Sequence, residues 1–299
     1  MVKRRDWVVG TVIFLSFAGF VFFSVIMLLS LGSEGAFDFP ALGRRVAIVD
    51  VTGPIYSAEG VVRQIKKYAE DKSVPAIVLR IESPGGGVAA AQEIYSQLEK
   101  AREKGKVIVA SMGAVAASGG LYIAMAADTI IANPGSLTGS IGVIVEFPTI
   151  EELARKIGVR SEVVKSGALK NTGSMWHTAT PEELAHLQSV IDDAYEQFVE
   201  AVARGRRMDP QDVRRLADGR IFTGRQALAE HLVDTLGDFE DALNIAAEMT
   251  GLDVPPRTIK EVPRRRASIW DLIGETVFGM LSGTAPEQAC GPQLMFLYR

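Results

Sequence analysis

Short runs of β-branched and aliphatic residues alternate with longer amphipathic stretches through the middle of the chain. Five of these runs predict buried strands: VAIVDV (46–51), AIVLRI (76–81), VIVAS (107–111), TIIAN (129–133) and IGVIV (141–145). Apolar residues at helical spacing fill the intervals 58–72 and 88–104. Since parallel neighbours need a crossover helix, this order predicts an α/β fold with a mostly parallel sheet.

The N-terminal region carries a long uncharged run from Trp7 to Leu31. As a helix it would measure roughly 37 Å, enough to cross a hydrocarbon core of about 30 Å. Lys3, Arg4 and Arg5 precede the run, whereas Glu34 and Asp38 follow it. The positive-inside rule therefore predicts a transmembrane helix over 7–31, with residues 1–6 in the cytoplasm and the rest of the chain extracytoplasmic.

The C-terminal half predicts a long helix and then a change of character. Thr180, Pro181 and Glu183 form a capping-box pattern, and the helix is expected to run from Pro181 to Arg206. Shorter helices follow to residue 251, so we expect a linker at 32–44, a main domain at 45–251 and a proline-containing extension at 252–299. The apolar tail GPQLMFLYR is expected to dock on this domain or on a neighbouring copy.

Composition excludes several classes of function. The chain has 299 residues, a net charge of −4, one cysteine and three histidines. The single Cys290 cannot form an intramolecular disulfide, and the scarcity of cysteine and histidine argues against a zinc site. The mild negative charge argues against nucleic-acid binding. We expect neither a metal nor a cofactor.

A glycine-rich turn, ESPGGGVAAA (82–91), lies between a predicted strand and a predicted helix. Glycines at this junction let backbone N–H groups approach a ligand closely, where the helix dipole favours negative charge. The turn lacks the G-x-G-x-x-G spacing and is not followed by Gly-Lys-Ser/Thr, so a nucleotide loop is not expected. A purely structural turn and an oxyanion-binding turn remain open at this point.

Ser118 lies in GAVAASGGLYIAMAAD (113–128), where a predicted strand passes into a predicted helix. A serine held there by fixed backbone can act as a nucleophile, with the N–H of Gly119 beside it as an oxyanion donor. It can equally be an ordinary helix N-cap. A nucleophile also needs a base, and no histidine occurs between Ser118 and His177.

Two lysines, Lys165 and Lys170, lie in the Gly/Ser-rich stretch VVKSGALKNTGS (163–174). A loop lysine is normally solvated and charged. Action as a base near neutral pH requires its pKa to fall by about 3 units from about 10.4, which needs desolvation.

Taken together, these stretches resemble the short form of the signal peptide peptidase A family (peptidase family S49), within the ClpP/crotonase superfamily. The resemblance spans roughly residues 45–250. It rests on ESPGGG, on GAVAASGGLYIAMAADTIIANPGSLTGSIGVI, on KSGALKN and on ADGRIFTGRQALAEHLVDTLG. It implies a ClpP/crotonase-like fold of repeated β-β-α and βαβ units behind one membrane anchor.

By position, the resemblance also implies residue roles. Ser118 matches the nucleophile, Lys170 the general base, and Ser140 a serine that orients the lysine. The N–H groups of Gly86 and Gly119 match the oxyanion hole. Lys165 is expected on the edge of a strand, pointing outward.

The implied activity is that of a membrane-anchored serine endopeptidase that cleaves remnant signal peptides, in a ring-shaped homo-oligomer. The lysine and serine of one site come from one chain or from neighbouring chains. Four alternatives stay open: a stomatin-partner-type membrane protease, a crotonase-like acyl-CoA enzyme, a Ser/His site using His177, and a catalytically inactive scaffold on the same fold, against which the intact Ser118 and Lys170 argue.

Overall fold

The computed structural model describes residues 16–17, 19–21 and 43–261 and the backbone of residues 295–297. Most of the predicted transmembrane helix, 7–31, lies outside the described residues; 16–17 and 19–21 are helical. Among the residues described, no helix combines the length and the apolar character needed to span a bilayer.

The described strands form one large and one small sheet. Their bounds are β1 Val46–Thr52, β2 Ala76–Ser83, β3 Gly85–Gly87, β4 Val107–Ala117, β5 Thr129–Ala132, β6 Leu137–Gly139, β7 Ile221–Thr223, β8 Thr235–Leu236, β9 Thr258–Lys260 and β10 Met295–Leu297. The large sheet has the order β7-β6-β4-β2-β1-β9, and β5 links β4 to β8. All its pairs are parallel except β6–β7, which confirms the predicted mostly parallel α/β fold.

Eight helices are described. They are α1 Glu59–Glu70, α2 Val88–Glu103, α3 Gly119–Ala124, α4 Glu151–Lys156, α5 Pro181–Arg206, α6 Pro210–Leu216, α7 Gly224–Ala229 and α8 Phe239–Thr250. The predicted start of α5 is confirmed: the Thr180 side chain accepts from the Glu183 N–H, and the Glu183 carboxylate accepts from the Thr180 N–H.

Alternate side chains of the central strands bury on opposite faces of the sheet, as the period of two requires. On β1, Ala47 and Val49 join the larger core with residues of α1, α2, α3 and α5. Val46 and Ile48 face the other way and pack with Ala242 of α8. The strands are thus covered on both faces, which explains why their sequences read as continuous apolar runs.

Strand β4 changes neighbours halfway along, and this change positions its C-terminal end. On one side, residues 109–112 pair with β5 and residues 115–117 pair with β6, while β2 stays on the other side with a shift of register between Ile81 and Ser83. The Glu82 carboxylate accepts from the N–H groups of Ala114 (2.9 Å) and Val115 (3.1 Å) at the bend. A Cβ at Gly113 would lie 2.8 Å from Glu82 Cδ, so a larger residue there would displace the carboxylate from these N–H groups.

The strand predicted at 141–145 is wrong. The chain forms β6 slightly earlier, and at Ser140 the backbone adopts φ +52°. The Ser140 N–H donates to the Arg220 carbonyl at 2.7 Å, so the chain leaves the sheet at that point. The extension beyond residue 251 contributes β9, which pairs with β1, and β10, which pairs with β3.

Candidate active site

Ser118 stands at the C-terminal end of β4 in a strained backbone conformation. Its φ is +54° and its ψ is −116°, a region that costs a non-glycine residue about 1–3 kcal/mol. The conformation is fixed from both sides, because the Ser118 N–H donates to the Gly139 carbonyl (2.8 Å) and the Ser118 carbonyl accepts from the Tyr122 N–H (2.9 Å). The surrounding structure therefore holds the serine in place at an energetic cost.

The hydroxyl of Ser118 is buried and makes no hydrogen bond to the described part of the chain. The residue is 0% exposed, and its Oγ has no hydrogen-bond partner there. It does not cap α3, since no side-chain hydrogen bond is made to the start of that helix. A buried hydroxyl without a partner costs stability, so it is a mark of a functional site. The N-cap interpretation of Ser118 is wrong.

The glycine-rich turn forms β3, which pairs with Ile55 along one edge and presents the N–H of Gly86 along the other. The Gly85 carbonyl accepts from the Ile55 N–H, and the Gly87 N–H donates to the Ile55 carbonyl, both at 2.8 Å. Because successive peptide groups of a strand point to opposite sides, the N–H and carbonyl of Gly86 face the other edge. A Cβ at Gly86 would lie 2.5 Å from Ile55 N, so only glycine fits.

Ser83, which the sequence analysis did not single out, fixes this turn. Its buried Oγ donates to the Gly53 carbonyl at 2.7 Å and accepts from the Gly85 N–H at 3.1 Å. Its place in ESPGGG, two residues before the first glycine, was the available signal. The start of α3 lies against the same turn, because a Cβ at Gly120 would lie 3.1 Å from the Ser83 carbonyl oxygen.

The edge of β3 that faces away from Ile55 pairs with the chain's own C-terminal segment. Strand β10 pairs with β3 in antiparallel register, with Phe296 opposite Gly86 and Leu297 opposite Gly85. The strand also contacts α3, the helix that begins next to Ser118. The tail therefore docks on its own domain, and the edge accepts an extended peptide backbone.

A cavity of about 650 Å³ opens beside Gly87, at one end of this edge. Tyr56, Val88 and Val190 supply apolar surface to it. Glu59 and Glu93 add carboxylates, so the lining is mixed in character.

Ser140 lies beside Ser118. Ala117 and Gly139 are register partners in β4 and β6, so Ser118 and Ser140 are the next residues on adjacent parallel strands, which are about 5 Å apart. Ser140 is only 8% exposed and also has a positive φ. The structure thus brings together Ser118, Ser140 and the glycine turn at one edge of the sheet.

Lys170 is not joined to this group within the single chain. It is exposed on a run of turns in which its N–H donates to the Gly167 carbonyl at 3.1 Å. Since the Ser118 Oγ has no partner in the described residues, the Lys170 amine does not reach it. The expected contact between amine and hydroxyl is absent from the described part of one protomer.

Lys165 has a role inside its own loop. Its Nζ donates to the Ala168 carbonyl and, at 2.5 Å, to Asn171 Oδ1. The expectation that Lys165 lies on a strand edge is wrong, because residues 159–165 form no strand. His177 is likewise occupied, since its Nε2 lies 3.0 Å from a Glu183 carboxylate oxygen.

The segment around the lysine loop exposes an unusual number of large apolar side chains. Val164 is fully exposed, and the others are at least 40% exposed: Ile144, Leu153, Ile157, Val159, Val163, Met175 and Trp176. Exposed apolar surface of this extent marks an interaction site.

Comparisons with known proteins agree with this geometry. The family model described as Peptidase family S49 matches residues 100–253, and the model described as Clp protease matches residues 42–137. A Synechocystis sp. protein provisionally named a protease is 49% identical over 211 residues, which are 70% of this chain and 76% of the relative.

Two further relatives are longer than this chain. Protease 4 of Haemophilus influenzae is 37% identical over 69% of this chain and 35% of the relative. An Enterococcus faecium protein provisionally named signal peptide peptidase SppA is 41% identical over 63% of this chain and 55% of the relative. The chain thus spans about a third to a half of these two.

Proposed function

The chain belongs to peptidase family S49, and from that premise we propose that it is a membrane-anchored serine endopeptidase that cleaves remnant signal peptides. In this proposal Ser118 is the nucleophile, Lys170 is the general base and Ser140 orients the lysine. The N–H groups of Gly86 and Gly119 form the oxyanion hole.

One observation carries the proposal. The buried, unpartnered hydroxyl of a strained Ser118 lies beside a glycine edge on which an extended strand adds. A hydrolase for peptides needs both features, because strand addition holds the substrate backbone and the fixed hydroxyl attacks it. The same edge favours a peptide over an acyl-CoA thioester as the substrate.

The reaction follows from these groups. Neutral Lys170 takes the proton of Ser118 as Oγ attacks the scissile carbonyl carbon, and each oxyanion N–H stabilises the charge by about 2.7–4 kcal/mol. The protonated lysine then gives its proton to the leaving amine, and an acyl-enzyme remains. Water attacks the ester and Lys170 accepts its proton. Lys170 then gives that proton to Ser118 Oγ as the acyl–oxygen bond breaks, so the acid product departs and both groups return to their starting state.

To act as a base, the Lys170 amine must be shielded from water, and the isolated chain leaves this residue exposed. Lowering the pKa of a lysine by about 3 units requires about 4 kcal/mol of desolvation. The exposed apolar side chains around the lysine loop offer that surface to a second copy. We therefore infer a ring-shaped homo-oligomer in which Lys170 of one copy serves Ser118 of its neighbour.

The substrate class is inferred from the edge and from the predicted anchor. The tail sequence QLMFLYR that supplies β10 is apolar and resembles a membrane-derived peptide. A helix at 7–31 would hold the extracytoplasmic domain where such remnants concentrate. The name of the Enterococcus faecium relative supports the same substrate.

The test uses the full chain and a fluorogenic apolar peptide. Ser118→Ala and Lys170→Ala are each expected to abolish turnover, whereas Lys66→Ala, on the exposed face of α1, retains it. Mixing the two inactive variants during assembly should restore part of the activity, because mixed rings contain intact sites across the interface.

Three results would count against the proposal. Turnover by Ser118→Ala removes the nucleophile assignment. Activity retained in Lys170→Ala but lost in Lys165→Ala or His177→Ala moves the base to the other residue. Absence of complementation in demonstrably mixed assemblies removes the shared site.

A further inference from the structure

A chain of polar contacts connects the lysine loop to the first turn of α5. Lys165 Nζ donates to Asn171 Oδ1 at 2.5 Å. Asn171 Nδ2 lies 3.5 Å from His177 Nδ1, and His177 Nε2 lies 3.0 Å from Glu183 Oε2. The contacts therefore pass from a loop side chain to a buried helix cap through one histidine.

Glu183 is the buried end of this series of polar contacts. It is 3% exposed, and its carboxylate accepts from the Thr180 N–H at 2.9 Å. The Glu183 N–H donates in return to Thr180 Oγ1 at 3.2 Å. The N–H of Thr180 and the ring of His177 hold the pKa of this carboxyl below its usual range, so it accepts as a carboxylate.

The donors and acceptors are consistent with one arrangement. A carboxylate only accepts, so His177 Nε2 carries the hydrogen and donates to Glu183. In the neutral ring Nδ1 is then an acceptor, which suits the Asn171 amide nitrogen. The amide oxygen of Asn171 is left for the Lys165 ammonium, as the short contact there requires.

Asn171 is the residue next to Lys170, and its side chain links the turn that presents the lysine to Lys165 and His177. The Lys170 N–H donates to the Gly167 carbonyl, and the Ser174 N–H donates to the Asn171 carbonyl, both at 3.1 Å. The segment that follows the loop is also joined to the start of α4, where the Ile150 N–H donates to the Met175 carbonyl and the Thr178 N–H donates to the Glu151 carboxylate, both at 2.7 Å.

We propose that His177, through Asn171 and Glu183, is a positioning residue that fixes the direction in which the loop presents Lys170. This inference rests on the proposed function, in which Lys170 is the base. His177 touches no reacting atom. It connects the loop to a buried carboxylate, so that the lysine is already oriented when a neighbouring serine meets it, which reduces the entropy cost of reaching the reactive geometry.

The test compares His177→Leu, His177→Gln and Asn171→Ala with His186→Leu, a change of an exposed histidine on α5. His177→Leu and Asn171→Ala are expected to lower kcat about 10- to 100-fold, since a misplacement of about 1 Å has effects of that size. KM should stay within about twofold, because a base acts on chemistry rather than on peptide binding. His177→Gln can still donate and accept, so it should recover most of kcat.

Hydrogen exchange supplies a readout that does not depend on activity. Amides of residues 166–174 should exchange faster in His177→Leu and Asn171→Ala than in wild type or His186→Leu. Asn171→Ala keeps the contact between His177 and the Glu183 carboxylate and removes the one between Asn171 and His177. It therefore tests the connection to the loop even if His177→Leu destabilises the start of α5.

The outcomes distinguish a failure of the His177 positioning role from a failure of Lys170 as the base. Unchanged exchange at 166–174 in both variants, or faster exchange with unchanged kcat, would overturn the positioning role. Full turnover in Lys170→Ala would instead overturn the proposed base, and the exchange difference would persist in that case.

Discussion

Replacing Gly86 with alanine tests whether the glycine edge supplies an oxyanion donor. The added Cβ would lie 2.5 Å from Ile55 N and 2.8 Å from Ile55 C, and these are backbone atoms that cannot rotate away. The nearest atom is Ile55 O at 2.4 Å and an ordinary contact begins at 3.4 Å, so β3 must move by about 1.0 Å at this point. That movement carries the Gly86 N–H away from the site.

The expected loss is large and falls on the chemical step. Removing one oxyanion donor lowers kcat by about 10²- to 10³-fold, equivalent to about 2.7–4 kcal/mol. The loss should appear in kcat rather than in KM, since the oxyanion exists only after attack. The steric strain should also lower stability by about 1–3 kcal/mol.

The assay is steady-state turnover of a fluorogenic apolar peptide, with thermal unfolding followed in parallel. Gly60→Ala is the matched control, because a Cβ at that position of α1 meets nothing within 4 Å. A Gly86→Ala protein that is folded and whose kcat lies within twofold of the Gly60→Ala value would refute the oxyanion assignment.

Three further predictions concern the tail, the helix cap and an internal ion pair. Deleting residues 290–299 should lower the apparent KM for added peptide about twofold or more, if β10 occupies the edge at least half the time; an unchanged KM shows that the tail does not compete. Glu183→Gln should lower the melting temperature at pH 7. Because the folded pKa of Glu183 is depressed, its contribution is present above the unfolded pKa and is lost as pH falls through the folded value. The difference from wild type should therefore shrink in acid, and a constant difference contradicts the cap. Arg206→Met removes the 2.7 Å and 2.9 Å bonds to Asp234 and the bond to the His231 carbonyl. The free energy of unfolding, measured by urea denaturation, should fall by about 1–3 kcal/mol. An unchanged free energy of unfolding would show that the ion pair does not stabilise the fold.

Features set by neighbours in sequence were predictable. The capping box of Thr180 and Glu183 joins residues three apart, and the structure contains both of its bonds. The strands near residues 46, 76, 107 and 129 follow from runs of buried aliphatic side chains. The place of Ser118 between strand and helix also follows from such local patterns.

Features set by distant contacts were not predictable. The run at 141–145 has strand-like composition, yet the bond from Ser140 to the Arg220 carbonyl turns the chain out of the sheet. The contact between His177 and Glu183 joins residues only six apart, yet it was missed because the capping pattern gives no sign of a histidine on the same carboxylate. The pairing of β10 with β3 joins segments about 210 positions apart, and composition indicated docking without its register.

The surroundings of Lys170 depend on contacts outside its own protomer in the proposed assembly. The resemblance of KSGALKN to the family motif implies the role of the residue, but its burial depends on what covers the exposed apolar segment around it. In the proposed assembly that cover comes from a second copy, which neither the sequence nor one protomer contains.

The most direct test is the distance from Lys170 Nζ to Ser118 Oγ in an experimental structure of the assembled full chain. We expect about 2.6–3.2 Å, with the lysine contributed by a neighbouring copy and shielded from water. An assembly in which every Lys170 side chain extends into solvent, and no amine approaches Ser118 Oγ, would contradict the proposed dyad.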